Sequence, residues 1–167
     1  MNIKLARIIF ILVVIGIAYI IYSSCIFLPE RVATNFGKDG KIVSLNSRET
    51  YRTLMTFLAL LLPITIYIAM KWLPRWINPR FVCPSNHKYW FSPERSSLTL
   101  IWMEKFGIAI GILVSIFWFA LHLINIRANR IVPSHYELWL RLSLLIGWLV
   151  SILWSVIIYR RHFRRAP

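Results

Sequence analysis

Four stretches of this chain are long and apolar enough to cross a bilayer, and they constrain its fold more than any other feature. A hydrocarbon core about 30 Å thick takes about 20 apolar residues at 1.5 Å per residue. Residues 8–28 and 106–126 are 21-residue runs without a charge, and 142–159 adds 18 residues with nothing more polar than Ser. Residues 54–70 make a 17-residue run interrupted only by Pro63. An open sheet would leave unpaired backbone groups in lipid, so such runs span as helices. The expected fold is an all-α integral membrane protein with four transmembrane helices. Composition agrees: 58% of 167 residues are hydrophobic and 16% charged, against roughly 45–50% and about 25% in soluble domains. Eight Trp, ten Phe and seven Tyr exclude intrinsic disorder.

Lys4 and Arg7 ahead of the first run, and Tyr22-Ser23-Ser24-Cys25 within it, have the look of a secretory or lipoprotein signal. A signal h-region is shorter than this run and no A-x-A site follows, so a retained helix is expected.

The charge of +14 comes from 20 Lys and Arg against 6 Asp and Glu. With both termini on one side, that side holds Lys4, Arg7, Lys71, Arg75, Arg80, Lys88, Arg95, Lys105, Arg160, Arg161, Arg164 and Arg165, 12 in all. The other holds 8: Arg31, Lys38, Lys41, Arg48, Arg52, Arg127, Arg130 and Arg141. Short cytoplasmic loops carry the basic excess, so both termini are expected in the cytoplasm and the protein in the plasma (inner) membrane. Anionic headgroups are the natural partner of these charges. They are scattered over three segments without a recognition motif, so no nucleic-acid partner is expected.

Between the first two spans, the loop 29–53 has turn residues at Gly37 and Asp39-Gly40. They are flanked by two potential short strands, 32–36 and 41–45. Asn46 and Glu49 are spaced as a capping pair for a second helix starting near Ser47. Cys25 and Cys83 fall at opposite ends under this topology and are not expected to pair. Cys83 with His87 supplies only two of the four ligands of a closed zinc site, so no metal or other cofactor is expected.

The stretch Leu28-Pro29-Glu30-Arg31-Val32, continuing through Asn35-Phe36-Gly37 to Gly40 between two apolar helices, carries a resemblance. It resembles the SdpI-associated membrane domain of unknown function, the N-terminal part of SdpI-type toxin-immunity proteins and of many uncharacterised membrane proteins. That pattern usually has a His where this chain has Asn35. Tyr89-Trp90-Phe91-Ser92-Pro93-Glu94-Arg95, and Leu121-His122 with Ala128-Asn129, resemble segments of the uncharacterised relatives. The first likeness covers roughly residues 10 to 70, and the rest does not resemble the C-terminal part of SdpI. It implies a membrane location and an immunity or signalling role, and no catalytic residues; in the outer loop itself, Glu30, Asn35 and Asp39 are the candidate ligand contacts. The chain then divides into 1–73 (two helices with the outer loop 29–53), 74–105, and 106–167 (a helical hairpin with a basic tail).

The segment 74–105 alternates aromatic and basic residues, as at headgroup level. Pro74, Pro79 and Pro84 argue against a long helix before Ser92. Ser92-Pro93 reads as N-cap and first position of an interfacial helix leading into the third span. Leu98, Ile101, Trp102 and Phe106 share one face of it, with Arg95, Thr99 and Glu104 elsewhere. This platform either anchors the chain in the interface or docks a cytoplasmic partner.

Gly107, Gly111 and Ser115 recur every fourth residue, as do Ser143, Gly147, Ser151 and Ser155. Small residues at that spacing let helix backbones approach closely, so the two stripes are expected to face each other, with homo-oligomer formation as the alternative. Polar groups inside a span are functional candidates by default. His122, Asn125 and Arg141 qualify, and with Glu137 they form a candidate outward-facing pocket; plain interfacial placement is the other reading. No paired carboxylate, activated nucleophile or phosphate-binding loop supports catalysis, so no enzyme is expected. Three roles stay open: immunity or signalling through a peptide or toxin at the outer face, a small oligomeric transporter or channel, and an accessory membrane subunit.

Overall fold

The computed structural model describes residues 2–37, 41–83, 86–130 and 135–164, with the side chains of 135–138 outside that description. Among the described residues, four helices are long and apolar enough to cross a membrane: Ile3–Phe27, Arg48–Trp76, Ser96–Arg130 and Trp139–Arg164. Each extends beyond its apolar run at one end or both, because a helix continues past the hydrocarbon core until caps or turns end it.

Helix α1 (Ile3–Ser24) starts where the Asn2 side chain accepts from the Lys4 amide at 3.0 Å. A short 3-10 turn, Cys25–Phe27, leads to an antiparallel hairpin of β1 (Arg31–Phe36) and β2 (Ile42–Ser47). The hairpin is closed where the Gly37 amide donates to the Lys41 carbonyl at 2.7 Å; Asp39 and Gly40 lie outside the described residues. Register is irregular between Ala33 and Phe36, which re-aims the end of β1.

Helix α2 (Arg48–Trp76) is capped by Ser47, whose hydroxyl accepts from the Thr50 amide at 3.1 Å, with Glu49 in the first turn. The Asn46–Glu49 capping pair is therefore corrected by one residue: Asn46 belongs to β2 and donates to the Thr34 hydroxyl at 3.2 Å. Pro74 does not stop the helix, which runs through both Pro63 and Pro74. A spanning helix tolerates the missing amide where neighbouring groups take up the freed carbonyl.

Two four-residue helices, α3 (Pro79–Val82) and α4 (His87–Trp90), follow. Ser92 and Pro93 sit in a turn, where the Ser92 carbonyl accepts from the amides of Arg95 and Ser96 at 3.0 and 2.9 Å. Helix α5 (Ser96–Arg130) then starts three residues later than expected and is unbroken for 35 residues, about 52 Å at 1.5 Å per residue. In its first turns Thr99, Met103 and Glu104 are buried, while Leu98 and Ile101 are exposed. Helix α6 (His135–Arg164) is the last of the described elements.

Helix α5 is the centre of the bundle, with α1 and α2 packed together on it and α6 beside it. The close approach is made by two glycines. A Cβ on Gly107 would lie 2.6 Å from the Met70 Cβ, and one on Gly111 would lie 2.7 Å from the Phe10 ring and 3.2 Å from the Pro63 carbonyl oxygen. The expected face-to-face meeting of the two small-residue stripes is thus corrected: Gly107 and Gly111 receive α1 and α2. A Cβ at Gly147 meets nothing within 4 Å, and Ser151 and Ser155 donate to carbonyls of their own helix. Instead α6 leans on α5 through aromatic rings, with Phe117 stacked on Trp148 and Trp102 on His162.

The ends of the bundle differ in chemistry. At the end carrying both chain termini, Glu104 is almost fully buried. Arg7 donates to its two carboxylate oxygens at 2.7 and 2.8 Å, and Tyr67 adds a hydroxyl at 2.8 Å. One carboxylate so ties α1, α2 and α5. The Trp90 indole donates to the Phe163 carbonyl and Asn86 to that of Arg164, bringing the end of α6 to the same place. The hairpin closes the other end. Along the sides, large apolar residues such as Leu12, Ile15, Phe57, Ile146 and Leu153 are exposed, a wider apolar surface than a soluble monomer presents.

A candidate functional site beneath the hairpin

At the hairpin end, the polar residues of the spans join into one buried line of hydrogen bonds. Arg141 of α6 donates to the Asn125 side-chain oxygen at 2.6 Å, and Asn125 donates its amide hydrogen to the Tyr51 hydroxyl at 3.2 Å. The Tyr51 hydroxyl lies 3.1 Å from His122 Nδ1, and His122 Nε2 lies 2.8 Å from the Ser24 hydroxyl. Ser24 in turn donates to the Ile20 carbonyl. Every transmembrane helix contributes a member.

The chemistry of the groups fixes the direction of this line. Guanidinium can only donate, so the Asn125 oxygen faces Arg141 and its NH2 faces Tyr51. Having accepted there, the Tyr51 hydroxyl sends its own proton to His122 Nδ1. The Ser24 proton is committed to the Ile20 carbonyl, so Ser24 accepts from His122 Nε2–H. His122 is thereby held as the Nε2–H tautomer. With the His122 ring wholly buried and stacked 5.8 Å from that of Tyr51, each member depends on its neighbours for a partner.

The hairpin is fastened to the same residues. Asn129, one turn after Asn125, accepts from the Ala33 amide at 2.8 Å and donates to the Ala33 carbonyl at 2.9 Å. It occupies the ladder positions that a neighbouring strand would take. Arg141 donates to the Thr34 carbonyl at 3.2 Å and lies 4.7 Å over the Phe36 ring. These bonds press Val32 and Ala33 of β1 into the bundle, where both are buried. Strand β2 stays outside, with Ile42, Val43 and Leu45 about half or more exposed.

No protein-family model, curated protein or solved structure matches this chain. What the chain does has to be argued from this geometry.

Of the residues singled out in the sequence, His122, Asn125 and Arg141 come together, while the side chain of Glu137 and all of Asp39 lie outside the described residues. Two of the residues expected to line an outward-facing pocket, His122 and Asn125, are instead buried beneath the hairpin. Asn35 points away from them, donating to the Ser44 hydroxyl at 3.0 Å, and Glu30 is exposed, its carbonyl taking the Arg48 amide at 2.8 Å. Ser115 is buried and donates to the Gly111 carbonyl. Sequence reading missed Ser24, Tyr51 and Asn129 as members. Tyr51 precedes the apolar run of α2, and its spacing to His122 carries no local signal. Asn129 had one: it lies four residues after Asn125, on the same helix face.

Replacing Asn129 by Ala is expected to leave the Ala33 amide buried without a partner, at about 1–3 kcal/mol. Faster amide hydrogen exchange in 31–36, with exchange in the centre of α5 unchanged, is the expected readout. At the other end, Cys83 is fully buried, and burial pushes its thiol up to about 11. A raised value means less thiolate, about 0.1% at pH 8. Alkylation of Cys83 in the folded protein should therefore be slow at pH 8 and quicken about tenfold per pH unit up to that value. Rapid labelling at pH 7 would contradict the burial.

Proposed function

We propose that this chain is a multi-pass membrane protein, with both termini cytoplasmic, that engages an extended peptide or toxin at its hairpin end in an immunity or signalling role. The observation that carries the reading is strand β2, an exposed apolar strand held against a rigid base. A two-stranded ribbon has two outer edges. Asn129 occupies that of β1 at Ala33, while Ile42, Val43 and Leu45 leave β2 uncovered. An uncovered strand of this kind takes an added strand, gaining main-chain hydrogen bonds from the edge and specificity from alternate side chains. The line from Arg141 to Ser24 fits this role as a support: it joins all four long helices beneath the hairpin, with His122 fully buried in it. The likeness of 28–40 to the SdpI-associated domain favours immunity among the peptide-binding roles, and the basic excess at the terminal end favours the cytoplasmic side for the termini.

The experiment is protection of cells against a secreted peptide encoded beside the gene. Expression of the chain is expected to restore growth, and Val43→Lys, which places a charge on the exposed strand, is expected to abolish protection while membrane levels of the protein stay the same. Growth restored equally by Val43→Lys would remove β2 from the reading, and no protection against any such peptide would retire the immunity role.

A further inference from the structure

At the terminal end, a cleft of about 190 Å³ lies between the end of α4, the start of α5 and the last turns of α6. Trp90, Arg95, Leu98, Thr99, Trp102 and His162 line it. Leu98 is 67% exposed, so the cleft is reachable from outside.

Part of its polar lining is already spent. The Trp90 indole donates to the Phe163 carbonyl at 2.9 Å, and the Thr99 hydroxyl donates to the Trp90 carbonyl at 2.7 Å. Arg95 and His162 keep their capacity. The His162 ring is stacked on Trp102 at 4.0 Å with 2° between the planes, and Trp90 flanks it at 5.0 Å. Those rings fix its plane, yet neither imidazole nitrogen meets a hydrogen-bond partner among the described residues. Arg95 lies 4.2 Å over the Tyr89 ring. That attraction acts between the charge and the ring, and it leaves guanidinium N–H groups to donate. No carboxylate is in the lining; Glu94, next to Arg95, is exposed and outside it. Leu98 and Thr99 belong to the first turn of α5, the positive end of its dipole.

These groups decide what the cleft can hold. Guanidinium only donates and a neutral imidazole offers one N–H, so the ligand presents acceptor oxygens. Beside Arg95 those oxygens carry negative charge, and the guanidinium fork matches phosphate geometry. The cleft sits where α5 enters and α6 leaves the spanning bundle, the level of lipid phosphates. We propose that it is a binding site for one phosphate group, held by Arg95 and by a ring nitrogen of His162. Arg95 supplies the charge and a pair of donors. His162 supplies one donor whose plane Trp102 fixes. A lipid headgroup and a free phosphate share this chemistry. The site is independent of peptide engagement at the hairpin.

Isothermal titration of the detergent-purified full chain tests it, with a short-chain phosphatidic acid, the diacylglycerol of identical chains, and inorganic phosphate. The wild type is expected to bind one phosphatidic acid and no diacylglycerol. Arg95→Gln is expected to weaken binding roughly tenfold, as for the loss of a charge-assisted bond. His162→Phe keeps a ring on Trp102 but no nitrogen, and is expected to weaken it roughly fivefold. Arg161→Gln removes an exposed charge outside the lining and is expected to stay within about twofold of the wild type. Inorganic phosphate bound with the same dependence on Arg95 supports the site as one for free phosphate; phosphatidic acid bound without it supports a lipid headgroup. Equal binding of phosphatidic acid and diacylglycerol, equal losses for R95Q and R161Q, or no loss for a folded H162F overturns the proposal. Should H162F fail to fold, the two arginine variants decide.

Discussion

Arg7→Ala is expected to destabilise the bundle by about 3 kcal/mol, the low end of the cost of removing one partner of a buried ion pair. The reason is Glu104, whose side chain is 3% exposed and accepts two charge-assisted bonds from Arg7. Without Arg7, the carboxylate keeps the Tyr67 hydroxyl and a Lys71 ammonium 3.9 Å away, which offsets part of its desolvation but not all. Glu104→Gln is expected to cost less, because Arg7 is 38% exposed and can return to water. The double variant R7A/E104Q should then be more stable than Arg7→Ala alone, since no charge is left buried. Unfolding titrations in mixed micelles measure all three. Equal losses for the two single variants, adding up in the double, would mean that the pair does not clasp the three helices.

The second large effect separates glycines that the sequence treats alike. Gly111→Leu is expected to be severely destabilising, beyond the usual 1–3 kcal/mol of an overpacked core. Even a methyl there would lie 2.7 Å from the Phe10 ring and 3.2 Å from the Pro63 carbonyl oxygen. The ring can move; the carbonyl belongs to the α2 backbone and cannot without shifting the helix. Gly147→Leu should leave the unfolding midpoint of the monomer unchanged, because its Cβ direction is open. A comparable loss at both positions would place α6 against a face that α1 and α2 occupy here. A change in oligomer size for Gly147→Leu, with stability retained, would mark that open face as a contact between copies.

Some of the site was legible in the residues. His122, Asn125 and Arg141 stood out because polar groups in a span are costly unless partnered, and all three belong to the buried line. Their partners were not legible: Ser24 is 98 residues from His122, Tyr51 is 71, and Ala33 is 96 from Asn129. Ser24 looked like part of a processing motif, and Tyr51 like an ordinary residue in the first turn of α2. Spacing set Glu104 apart from the apolar face of its helix, but its partners Arg7 and Tyr67 are 97 and 37 residues away.

The sequence by itself determined the four spans, the short hairpin between the first two, and the separation of Cys25 from Cys83. Those features rest on local signals: runs matched to bilayer thickness, turn residues flanked by strand-forming ones, and the distance between chain segments. Only the tertiary structure decided which side of each helix faces protein. In lipid an apolar side chain is equally at home against a tail or against another helix, so the apolar pattern that announces a span does not say which way it is turned. Here the turning is set by the groups lipid cannot serve and by the points where backbones must come close: Glu104 with Arg7, His122 with Tyr51, Asn129 with Ala33, and Gly107 and Gly111 against α2 and α1.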